Sequence, residues 1–147
     1  MRGLGLALLM GALLMGSAGC KKKRQREPVR LTEQVSLATM VQAGDPGAAV
    51  QFTKGFYAVE NGSWRWTAHA FSVTLHPPKA AAANGARLVL KFAFPDAIFQ
   101  KVGAMKLTAR VNGLDLAPEE YKAAGDQTYS REVPANALTA EAVTVVF

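Results

Sequence analysis

Between Arg87 and Phe94, the apolar residues Leu88, Leu90, Phe92 and Phe94 occupy every second position, with Arg87, Val89, Lys91 and Ala93 between them. Successive side chains of a strand point to opposite faces, so this period predicts a half-buried β-strand. Lys106 to Val111 repeats the pattern, with Leu107, Ala109 and Val111 expected inward. Asn112-Gly113 then joins it to Leu114-Asp115-Leu116; this dipeptide tolerates the two positive-φ positions of a tight hairpin. Asn61-Gly62 marks a second turn. Val50, Phe52, Phe56 and Tyr57 outline a strand before it, in which Gly55 signals a kink or bulge. Trp64 to Thr67 predicts a strand after it, and Phe71, Val73 and Leu75 another, stopped by His76-Pro77-Pro78. Gln127 to Val133 and Glu141 to Phe147 are the last two.

The segments between these strands carry no long helical pattern. Lys79 to Ala86 reads as an alanine-rich loop, and Pro118 to Tyr121 as one helical turn with acids near its N-terminus. Residues 31–43 fit either a short helix opening at Thr32 or an extended entry strand, and Asp45-Pro46-Gly47 closes that stretch as a turn. About eight short strands with short connections predict an all-β fold, an antiparallel β-sandwich of jelly-roll type over residues 31–147. The chain finishes on Val143, Val145 and Phe147 without a polar tail. Such an end belongs inside a sheet or marks a domain cut short.

Ahead of this domain, Arg2 precedes an apolar run from Leu4 to Met15, followed by the small residues Gly16 to Gly19. The run is too short to cross about 30 Å of hydrocarbon as a helix, and its three-part layout is that of a signal peptide over residues 1–19. Cys20, the one cysteine of the chain, stands directly after it. A single cysteine forms no internal disulfide. Lys21, Lys22, Lys23 and Arg24 follow at once, within a basic tether over residues 20–30 in which Pro28 favours an extended path.

The segment Ala18-Gly19-Cys20 after a Leu-rich run resembles the lipobox of bacterial lipoproteins, with Ser17 where that family usually has Leu. The resemblance implies acylation of Cys20, removal of residues 1–19, and a lipid anchor in the bacterial cell envelope. Lys21 in place of the Asp frequent in inner-membrane lipoproteins implies the outer membrane in a Gram-negative host. Multiple acyl chains anchor firmly, and Lys21 to Arg24 sit where an anionic surface would attract them or where they serve as a solvated spacer. The alternative is an uncleaved N-terminal anchor, with the basic cluster holding the domain in the cytoplasm.

Charge excludes one function class. The chain carries +6, but from Glu27 onward eleven Lys and Arg balance eleven Asp and Glu. The excess is confined to the tether and the leader, which argues against a nucleic-acid surface. Catalysis finds equally little support. His69 and His76 are the only histidines, Glu119-Glu120 reads as a pair of helix N-terminal acids, and no nucleophile or metal-ligand spacing occurs. No enzyme activity, cofactor or metal is expected.

Tyr57, Trp64 and Trp66 are the candidate ligand-binding residues. On one unbroken strand the two indoles would share a face with Ala68, Ala70, Ser72 and Thr74, opposite Phe71, Val73 and Leu75. A bulge between Thr67 and Ala70 would reset the face and send both into the core, the simpler destination for large aromatics. Without a reset they form an outer platform beside Tyr57. The segment Gly55-Phe56-Tyr57, with Glu60, Arg65-Trp66-Thr67 and Tyr129 to Pro134, loosely resembles bacterial β-sandwich modules of envelope and polysaccharide-related proteins. That resemblance implies sugar binding and brings no catalytic residue. Arg65 and Glu60 would equally suit a structural ion pair. The expected function is therefore non-catalytic binding or scaffolding at the envelope, with a glycan or another envelope protein as partner. A scaffolding role predicts an open sheet edge, with Val143 to Phe147 the candidate.

Overall fold

The computed structural model describes residues 36–147. Residues 1–19, read above as a signal peptide, Cys20 and Lys21 to Arg24 therefore lie outside the described residues. Seven strands form: β1 (Phe52–Glu60), β2 (Trp64–Leu75), β3 (Ala86–Phe94), β4 (Met105–Val111), β5 (Leu114–Tyr121), β6 (Gly125–Val133) and β7 (Val143–Val146). They make two sheets, one of five strands in the order β1-β2-β7-β4-β5 and one of β3 with β6. Every pairing is antiparallel. The fold is all-β, as the alternation predicts.

The clearest sequence periods survive intact. β3 and β6 pair through nine consecutive residues from Ala86↔Val133 to Phe94↔Gly125. On β3, Leu88, Leu90 and Phe92 pack against the core and Phe94 is buried, while Arg87, Val89, Lys91 and Ala93 are exposed. The β4–β5 hairpin turns at Asn112-Gly113, whose φ angles of 45° and 90° are the left-handed values such a turn needs. Beside the turn, Arg110 donates to both carboxylate oxygens of Asp115, at 2.6 and 3.1 Å. This hydrogen-bonded partner holds the exposed Asp115 carboxyl below its ordinary range.

Other expectations need correction. Trp64 to Thr67 and Phe71 to Leu75 belong to one twelve-residue strand, β2, which lowers the strand count to seven. Pro118 to Tyr121 is not helical; it completes β5, where Tyr121 pairs with Met105 across to β4. A proline fits there because β5 is an edge strand, where the ladder can spare its donor. The alanine-rich loop contains a single helical turn, α1 (Ala81–Asn84), and a second helix, α2 (Asp96–Val102), follows β3. The signals for α2 were present: Pro95 ahead of it, Asp96 in its first turn, Lys101 in its last and Gly103 just beyond. Residues 46–51 form a 3-10 helix capped by Asp45, whose side chain accepts from the Gly47 N–H at 2.8 Å. Residues 36–43 hold neither helix nor strand. They are fixed by Gln51, a buried side chain that hydrogen-bonds both backbone groups of Ala38 and the Thr74 carbonyl.

The C-terminal strand is central. β7 lies between β2 and β4, and exchange of N–H and carbonyl bonds between Phe71 and Phe147 extends the ladder by one residue. The open edge expected at Val143 to Phe147 is therefore absent. Pairing on both sides explains its apolar composition, since Val143, Val145 and Phe147 all enter the core. The phenyl rings of Phe71 and Phe147 stack at 5.0 Å and 21°. Tyr129 from β6 meets Phe147 edge-on, and Tyr121 meets Phe92 likewise. One core cluster thus draws on strands of both sheets. Each fully buried large apolar side chain in it contributes about 1.5–3 kcal/mol relative to exposure.

Candidate binding surface on the first hairpin

The β1–β2 hairpin carries all three candidate ligand-binding residues. Its pairing starts at Phe52↔Val73 and ends at Glu60↔Trp64, but the register is irregular in between. Lys54 pairs with Ser72 and Phe56 with Thr67, so Gly55 alone stands opposite the four residues from Ala68 to Phe71. Gly55 has φ of +74°, and a Cβ there would overlap the Ala70 carbonyl oxygen. The bulge expected in this region therefore exists, and only glycine fits where the backbones approach so closely.

The bulge does not send the indoles into the core. Phe56 packs on Phe71 at 5.3 Å between centroids, and its register partner Thr67 shares that side of the hairpin. Burial along β2 does not alternate through the bulge: Thr67 is exposed, Ala68 half-buried, and Phe71, Ser72 and Val73 are all buried. Beyond it, Arg65 lies over the Phe52 ring, so its neighbours Trp64 and Trp66 fall on the opposite side of the strand. Exposure agrees: 59% for Tyr57, 36% for Trp64 and 45% for Trp66. The core placement is thus corrected in favour of an outer cluster.

The cluster is not a flat platform. The two indoles meet at 5.1 Å between centroids with their planes 86° apart, the edge-to-face contact that aromatic quadrupoles favour. Together they form an inside corner. Directly across from Trp64 stands Glu60, exposed and on the same side of the pair. The Asn61-Gly62 turn holds both at the hairpin tip, with φ of 49° and 65°.

Arg65 points away from this corner and does not pair with Glu60. Its guanidinium donates to the Ala43 carbonyl at 2.7 Å and the Tyr57 carbonyl at 3.0 Å, and lies over the Phe52 ring. These bonds clip residues 41–44 under the hairpin. The ion pair that the sequence suggested is replaced by carbonyl contacts, leaving Glu60 without an ion-pair partner among the described residues.

Elsewhere the surface offers little chemistry. His69 is exposed, and His76 has Nδ1 2.7 Å from the carbonyl oxygen of its neighbour Pro77. Glu119 and Glu120 are not an acid pair: Glu119 pairs with Arg131 at 2.7 Å and Glu120 with Lys122 at 3.5 Å. Among the described residues there is no cluster of three metal-ligating side chains. Two shallow depressions lie near the C-terminal segment, one lined by Asn112, Asn136 and Thr139 and the other by His76 to Ala82 with Leu138 to Glu141. No helix among the described residues is long and apolar enough to cross a membrane. The chain matches no protein-family model, no curated protein and no solved structure.

Proposed function

We propose that the chain is a bacterial envelope lipoprotein, anchored through acylated Cys20, whose β-domain is a non-catalytic glycan-binding module. We read its two sheets as the layers of a jelly-roll-like β-sandwich, a reading supported by the single core to which both contribute. The observation that carries the binding function is the exposed Trp64–Trp66 pair, with an exposed Tyr57 on the same hairpin. Large aromatics held outside the core on a structured hairpin are costly to leave in water, and their apolar faces match the C–H faces of sugar rings. The perpendicular indoles favour one sugar ring seated in the corner, or the end of a chain, over a flat polymer surface.

Trp64 and Trp66 are the only tryptophans in the protein, so intrinsic fluorescence reports on this site alone. Titration with oligosaccharides of glucose and of N-acetylglucosamine is expected to shift or quench that emission. Trp66→Ala, an exposed position, is expected to keep the fold and weaken binding at least about tenfold, as loss of an aromatic anchor does. A spectrum unmoved at millimolar sugar, or a response that Trp66→Ala leaves unchanged, would overturn the glycan reading.

The anchor has its own test. The mass of the protein isolated from a bacterial host is expected to correspond to residues 20–147 plus a diacylglyceryl group, with or without a further acyl chain. An unmodified Cys20 refutes it, and retention of residues 1–19 returns the uncleaved-anchor alternative.

A further inference from the structure

The corner formed by the indoles carries a negative charge with no ion-pair partner among the described residues, and this narrows the ligand. Glu60 lies directly across the hairpin from Trp64, where cross-strand Cβ atoms stand roughly 5 Å apart. The cation that could neutralise it, Arg65, occupies the adjacent position on β2 but faces the opposite side, held by the Ala43 and Tyr57 carbonyls. Lys54, the other cation of the hairpin, pairs in register with Ser72 beyond the bulge, well along the strand from Glu60. Two perpendicular indoles and an exposed carboxylate make a site of aromatic faces with one anionic wall. An aromatic face attracts a cation through its ring quadrupole, and a carboxylate adds direct attraction and an acceptor pair. A neutral sugar uses the first feature only through apolar stacking and gives the second no charge to meet.

We infer that the ligand is an amino sugar bearing a free ammonium group. This inference rests on the glycan reading above. The sugar ring stacks in the corner of Trp64 and Trp66, and its ammonium group is received by Glu60 at the rim.

The test compares glucosamine oligosaccharides, with free amines, against N-acetylglucosamine oligosaccharides of the same length. Both are titrated into the full-length chain in detergent at mildly acidic pH, followed by tryptophan emission. An exposed ion pair and a cation–π contact together predict about tenfold tighter binding of the free amine. Raised salt is expected to shrink that margin. Glu60→Gln, on an exposed turn-flanking position, is expected to shrink the gap between the two affinities severalfold, leaving only the cation–π share, while the N-acetylated oligomer binds as before. Trp66→Ala is expected to weaken both. Equal binding of the two oligomers by the natural chain, or a preference that Glu60→Gln leaves undiminished, would overturn the amino-sugar inference and leave the glycan reading standing. Failure of both oligomers to move the emission would remove the inference together with its foundation.

Discussion

Gly55→Ala is expected to destabilise the domain by more than about 4 kcal/mol, the range reached when strain and backbone overlap combine at one position. Two costs add. A non-glycine residue held at a φ of +74° bears about 1–2 kcal/mol of backbone strain. The new methyl group would also overlap the Ala70 carbonyl oxygen and stand 2.8 Å from the Phe71 Cα, both backbone atoms that no rotamer change can move. Relief requires β1 to lift off β2, which breaks the ladder beside the Phe56–Phe71 contact. Urea denaturation measures the effect, and Gly113→Ala supplies the comparison. Gly113 has φ of +90°, but a Cβ added there would meet no atom within 4 Å, so only the strain should appear. Equal losses at the two sites would show that the close approach at Gly55 contributes nothing. Because Gly55 also sets the register below Tyr57 and Trp66, a surviving Gly55→Ala fraction should show altered tryptophan emission.

The second large effect is expected at Tyr129. Its side chain has 0% exposure, pairs in register with Leu90 and meets Phe147 edge-on. Its hydroxyl donates to the Ala117 carbonyl at 2.9 Å, which ties β6 to β5. Burial pushes the phenol above its ordinary pKa, so it remains a protonated donor. Tyr129→Ala should cost about 3–5 kcal/mol from lost burial and the cavity left behind. Tyr129→Phe should cost only about 1 kcal/mol, because the ring stays and one hydrogen bond goes. The small figure has a structural reason. Arg131 also donates to the Ala117 carbonyl, at 2.8 Å, so that oxygen is not orphaned. The same guanidinium reaches the Pro118 carbonyl and Glu119 and lies over the Tyr129 ring. Comparable unfolding midpoints for Tyr129→Ala and Tyr129→Phe would contradict this division between packing and hydrogen bonding.

Arg131 also shows what was hidden from a linear reading. The run Tyr129 to Pro134 stood out in the sequence, but its use in stitching β6 to the edge of β5 depends on Ala117 and Pro118, whose carbonyls carry no side-chain signal. Pro118 to Tyr121 misled for a related reason. Proline followed by acids is a sound helix-start pattern, and its local preference was overridden by pairing with Met105 to Leu107. By contrast, β3, β4 and the Asn112-Gly113 hairpin were legible because period and turn chemistry agree within a few residues. The free edge of β3, which has no backbone partner beyond β6 among the described residues, could not be read from its own alternation, since that alternation fixes faces and not neighbours.

By itself the sequence determined the strand character of most of the domain, the turns at Asn61-Gly62 and Asn112-Gly113, the need for a bend at Gly55, and the neutrality of everything beyond the basic tether. Each follows from the period of apolar residues, the φ values a residue tolerates, or a count of charges, all of them local quantities. The tertiary structure alone decided that β7 is central, that Trp64 and Trp66 face outward at right angles, and that Arg65 turns away from Glu60. These depend on which strand lies beside which and where surplus residues are absorbed. Four residues of β2 pass a single glycine of β1, and the pairing beyond that bulge leaves the aromatic corner outside the core.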